Sequence, residues 1–168
     1  MAIYGFNADE MFQVAIDTEK NGKLFYEKAM LAVDDPGLKS LLESLARDEL
    51  EHIKTFTELK AQLPKAAAKD TVWDPFHEMD EYLQTMADMS VFRSGLNVER
   101  ELSGIKKAED VIRLGIQFEK DSIIFYTTMQ DAVEEKKGRK FIGQLVDEEK
   151  KHLRKLCQKL GKDTKCER

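Results

Sequence analysis

Apolar residues recur at three- and four-residue spacing through most of the chain, and that period predicts helices rather than strands. Phe12, Ala15, Ile16, Tyr26, Ala29 and Val33 mark one stripe of a first helix expected over about residues 8–33. A second stripe, through Leu38, Leu41, Leu42, Leu45, Ile53, Phe56 and Leu59, predicts a helix over 36–63. Val111, Ile112, Gly115, Ile123, Tyr126 and Met129 predict a third over 107–135. Phe141, Ile142, Leu145, Val146, Leu153, Leu156 and Leu160 predict a fourth over 139–160. The punctuation agrees. Asn7 with Glu10 reads as a variant capping box, Asp35 caps the second helix with Pro36 at its first position, and Pro64 follows its end. Gly138 marks a tight turn between the third and fourth helices, and Gly161 is the C-terminal signal of the fourth. Residues 64–106 form a long crossover, in which Asp74-Pro75 opens a short helix over about 75–89. Its apolar face, Phe76, Met79, Tyr82, Leu83 and Met86, packs on the bundle or on a second subunit. The expected fold is all-α: one four-helix bundle with a long crossover containing a short extra helix.

Each stripe is interrupted by acids or histidines that should be inside. Glu19 sits at the centre of the first, Glu49 and His52 complete the second, Glu119 is central in the third, and Glu149 and His152 lie within the fourth. A buried carboxylate is costly unless paired or metal-bound, and four converging without a cation would repel. Two divalent metals would cancel the four glutamates in formal charge. The six residues also form an internal repeat with an offset of 100 residues: Glu19 with Glu49-Leu-Glu-His52, then Glu119 with Glu149-Lys-Lys-His152. Ile16, Lys20, Phe25, Tyr26 and Leu45 recur as Ile116, Lys120, Phe125, Tyr126 and Leu145. A lone Glu-x-x-His is weak evidence. Two, each preceded by a helix with a central Glu at the same offset, supply the ligand set of a carboxylate-bridged di-metal centre inside a four-helix bundle. The repeat implies two helix hairpins related by a pseudo-two-fold axis, with the metals near that axis. Carboxylates can bridge two metals, and imidazole suits iron, with manganese and zinc less selectively served.

The chain of 168 residues is long enough for one domain with a sizeable core. A net charge of −5 argues against nucleic acid or an anionic membrane as a partner. No apolar run approaches the roughly 20 residues that span a bilayer. The N-terminus lacks the basic and apolar regions of a secretory signal, and Cys157 and Cys166 form no Cys-x-x-Cys, so a cytoplasmic protein with free thiols is expected.

On these motifs the chain resembles the ferritin-like superfamily, and most closely the rubrerythrin-like di-iron proteins. The resemblance covers about residues 8–63 and 107–160 and rests on Glu19 with Phe25-Tyr26, Glu49-Leu-Glu-His52, Glu119 with Phe125-Tyr126, and Glu149-Lys-Lys-His152. It implies two iron ions per chain, with Glu19 and Glu119 as terminal ligands, Glu49 and Glu149 bridging, and His52 and His152 each capping one metal. Ser122 stands where rubrerythrins carry an additional carboxylate, and Gly22 is its counterpart in the first helix. The remaining set is symmetric, like the ferroxidase centre of bacterioferritins. Bacterioferritins bind haem through a Met inside the first Glu-x-x-His; here that span holds Leu50 and Glu51, so haem is not expected.

Tyr26 and Tyr126, seven residues after the lone glutamates, either hydrogen-bond the ligand cluster or pack in the core with a satisfied hydroxyl. Asp48 and Glu148 either accept a ligand histidine's second N–H or face solvent. His77 is expected to be connector structure, and Cys157 to belong to the core. The function expected first is peroxide or dioxygen reduction with electrons from a separate protein such as rubredoxin, since the sequence holds no Cys-x-x-Cys relay of its own. A homodimer is expected. Iron handling by a ferroxidase, a manganese catalase-like dismutase and a non-enzymatic, metal-stabilised module are the alternatives.

Overall fold

Asp35 sets the first corner of the fold. Its backbone is extended (φ −61°, ψ 117°), its side chain accepts from the Leu38 backbone N–H, and Pro36 follows at the first helical position. The chain therefore leaves one helix and enters the next within three residues, which forces an antiparallel hairpin of α1 (Ala8–Ala32) and α2 (Pro36–Ala61). The structure, a computed structural model, describes residues 8–63, 85, 98–103, 105, 107–132 and 136–166. After α3 (Val98–Ser103), α4 (Ala108–Ala132) and α5 (Lys136–Cys166) make the second hairpin. The two helices of each hairpin pack along their length, and the hairpins meet through α1 with α4 and α2 with α5. No strand occurs among the described residues. The fold is the expected four-helix bundle.

The core falls into two apolar layers. One is built from Phe25, Ala29, Leu38, Leu42, Ile112, Phe118 and Leu156, among others. The other contains Phe12, Ile16, Phe56, Tyr126, Met129 and Ile142. The acids and histidines of the stripes belong to neither and form a polar waist between them.

Several expectations are corrected. The fourth helix runs from Lys136 to Cys166, so Gly138 lies in its first turn and Gly161 inside it. Gly161 does not adopt the left-handed backbone that a C-terminal glycine stop requires, and nothing stands within 4 Å of the place a Cβ would take. The third helix is described as far as Ala132; its expected end near 135 lies outside the described residues. Phe141, read as core, is 36% exposed, and Cys157 is exposed beside the buried Leu156. α3 was not expected. Its signal is present: Val98, Leu102 and Ile105 stand at helical spacing, and Val98 is buried against the first apolar layer. The expected helix over 75–89, with His77, lies outside the described residues apart from Thr85, as does Asn7.

Candidate metal centre

Each of the four long helices delivers its acid to the same height because the stripe residues around it are locked in the two apolar layers. Glu19, Glu49, Glu119 and Glu149 are fully buried, and His52 and His152 are nearly so. Their ligand atoms fall into two groups. Glu19, Glu49, His52 and Glu149 form one, and Glu49, Glu119, Glu149 and His152 form the other; within each group the atoms lie within 4.8 Å of one another. Glu49 and Glu149 belong to both. The two imidazoles stack with centroids 5.6 Å apart.

Around this cluster, hydrogen bonds cross between the hairpins. Tyr26 donates its hydroxyl to Glu119, and Tyr126 donates to Glu19. His52 Nε2 lies 2.9 Å from Glu148 Oε2, and His152 Nε2 lies 3.1 Å from Asp48 Oδ2. Of the two open readings for each pair, the tyrosines contact the cluster and the acids contact the histidines. The sequence did not reveal that each acid serves the histidine of the opposite hairpin. Because Nε2 of each ring is held by an acid, Nδ1 is the nitrogen aimed inward. His52 Nδ1 is 2.9 Å from Glu149 Oε1 and 3.3 Å from both Glu19 and Glu49. His152 Nδ1 is 3.4 Å from Glu149 and 3.8 Å from Glu49.

Crowding four carboxylates in a buried space redistributes protons. Burial, then the charges of Glu19 and Glu149, pushes Glu49 up, and burial with Glu149 pushes Glu119 up. Burial would raise Glu149 too, but bonding from His152 and His52 overrides it and holds this carboxyl low. Burial disfavours both imidazoliums, yet the surrounding carboxylates win: His52 is driven far up, Glu19 contributing most, and His152 rises to about 10 through Glu119 and Glu149. Burial and the neighbouring glutamates push both tyrosines up, so they remain proton donors. No Lys or Arg among the described residues pairs with the four glutamates.

That arrangement fits a metal pair by its own donors. Both oxygens of Glu49 and of Glu149, Glu119 Oε2 and His152 Nδ1 are buried and lack a well-formed hydrogen bond, and all belong to the proposed ligand residues. Buried polar atoms are rarely left so, and orphans converging on one point are what a coordination site looks like without its ion. Ser122 Oγ is orphaned as well.

The family model for rubrerythrin matches residues 10–160. The chain belongs to the rubrerythrin family. The crystal structure of a candidate ferritin-like diiron-carboxylate protein from Thermotoga maritima superposes with a TM-score of 0.75. The alignment covers 96% of this rubrerythrin-family chain and 99% of the other at 21% identity, a likeness of fold. No curated protein matches the chain.

Proposed function

We propose that this chain is a non-haem di-iron redox protein that reduces hydrogen peroxide or dioxygen with electrons from a separate protein of the rubredoxin type. The observation that carries this reading is the pair of buried donor sets sharing Glu49 and Glu149. In this reading, Glu19, Glu49, His52 and Glu149 would hold one metal and Glu49, Glu119, Glu149 and His152 the other, with Glu49 and Glu149 common to both and each imidazole offering Nδ1. When bound, a pair of iron ions would supply two electrons to the oxidant and take two back from the donor. The protein does the rest. Glu148 and Asp48 fix each imidazole's tautomer and orientation. Tyr26 and Tyr126 each occupy one oxygen of a terminal glutamate and keep a proton there. The apolar layers on both sides exclude bulk water, which strengthens every electrostatic interaction within the centre.

Anaerobic loading with ferrous iron is expected to saturate at two ions per chain. Reduced protein then consumes about one peroxide per site and stops, because this two-electron reduction exhausts the centre. Added reduced rubredoxin restores turnover. Sustained peroxide loss with oxygen release and no reductant would favour a catalase-like dismutase. A fully reduced sample inert to peroxide would leave iron handling or a structural role.

A further inference from the structure

The internal repeat pairs contacts across the two hairpins, and one such pair differs in chemistry. Tyr26 with Glu119 answers to Tyr126 with Glu19, and His52 with Glu148 answers to His152 with Asp48. The same exchange carries the contact of Gly22 on α1 with Phe118 on α4 onto Ser122 and Thr18. Gly22 and Phe118 close their side with a ring: a Cβ on Gly22 would collide with Phe118, which is fully buried edge-on against Tyr26. Thr18 and Ser122 are also buried, at 8% and 1% exposure, but they bring two hydroxyls in place of the ring. Ser122 Oγ has no hydrogen-bond partner among the described residues. Glu119, one turn earlier on the same helix, has Oε2 without one as well. Buried polar atoms are rarely left unmet, and where the protein offers no partner a buried small molecule supplies it.

We propose that the α1–α4 seam holds one small hydroxylic molecule, water or hydrogen peroxide, between Ser122 and Thr18, and that Phe118 shuts the equivalent place at Gly22. Each hydroxyl both donates and accepts, so the pair suits a guest that does the same. Neither residue carries a charge, which disfavours a bare anion at this depth. Thr and Ser are together smaller than Phe and Gly by about two heavy atoms, enough for one such molecule. Thr18 directly precedes Glu19 and Ser122 follows Glu119 by one turn, so the guest lies beside the centre on one side only. The site itself stands on the pairing of the hairpins, and its use by the oxidant rests on the redox reading above.

The test uses the full chain, metal-free and loaded with redox-inert Zn²⁺, so that turnover is not needed. With threonine methyls labelled, NMR should show a long-lived water cross-peak to Thr18, and Ser122→Ala should abolish it. Thr18→Phe with Ser122→Gly copies the Phe118 side and should abolish it too. Ser122→Ala should also lower the urea midpoint of the metal-free protein. A hydroxyl with no guest would instead leave the midpoint unchanged or raise it, because alanine is the better helix former. Hydrogen peroxide titrated into the Zn²⁺ form separates the two guests. A saturable shift of the Thr18 methyl, lost in Ser122→Ala, assigns the site to the oxidant, and a water cross-peak indifferent to peroxide assigns it to water. Absence of both the cross-peak and the shift, or their survival in Ser122→Ala, overturns the inference. Saturation at fewer than two Zn²⁺ per chain instead overturns the two-metal reading and leaves the seam site standing.

Discussion

At the scale of single residues, the bond from Tyr26 to Glu119 and its mate from Tyr126 to Glu19 are the contacts most open to a clean test. Each tyrosine is fully buried, so phenylalanine fills its place in the core and deletes only the donor. Glu119 already has one oxygen without a partner, and Tyr26→Phe orphans the second. Leaving a buried acceptor unmet costs roughly 1–3 kcal/mol in the metal-free protein. Loss of an outer partner of this kind weakens metal binding about 10- to 100-fold. Because the bonds cross, Tyr26→Phe should perturb the half containing His152, and Tyr126→Phe the half containing His52. Competitive Co²⁺ titrations of the two variants check this, and identical effects on both halves would contradict the cross-pairing.

At the scale of elements, α1 and α4 approach closely where Gly22 faces Phe118. A Cβ at Gly22 would come within 2.3 Å of the Phe118 ring, which is itself buried edge-on against Tyr26. Alanine is the better helix former by about 1 kcal/mol, yet Gly22→Ala should destabilise the bundle by roughly 1–3 kcal/mol, because the ring cannot retreat. Phe118→Leu in the same chain should recover most of the loss in urea unfolding; no recovery would mean that the glycine serves something other than this contact. The helices were legible in the sequence because burial of one face imposes its period, and the six interior acids and histidines were legible because they break that period twice at one offset. Helix ends were less so. Gly138 and Gly161 read as stops, but a glycine stops a helix only where the backbone turns left-handed, and α5 passes through both. Phe141 and Cys157 fit the stripe by spacing alone. Their exposure depends on where α2 lies against α5, and periodicity within one helix does not contain that information. The crossing of Asp48 and Glu148 to opposite histidines was hidden for the same reason.

At the scale of the whole molecule, the proton load of the waist makes stability depend on pH. Glu49 and Glu119 are raised above their ordinary 4.5, so the folded protein keeps protons that the unfolded chain would release, and stability falls as pH climbs from there. His152 acts in the same direction: its contribution is complete below 6.5 and is lost as pH rises through about 10. Glu149, held low, works the other way, contributing above 4.5 and failing in strong acid. Metal-free protein should therefore be most stable near about pH 5 and decline toward about pH 10. Metal-loaded protein should invert the alkaline trend, because binding displaces those protons and tightens as pH rises. Urea unfolding across this range, with and without metal, checks both slopes, and parallel curves would count against a buried metal site.

Neither hairpin can finish its own chemistry. Tyr26 reaches Glu119, Tyr126 reaches Glu19, His52 reaches Glu148 and His152 reaches Asp48, and every one of these bonds spans the seam between hairpins. If the backbone were severed between Leu63 and Val98, the pieces would be two strangers, each carrying half of a lock. Their mutual grip would rest on the apolar layers they share and would tighten with any metal bound between them, so the strength of fragment association would rise with metal concentration.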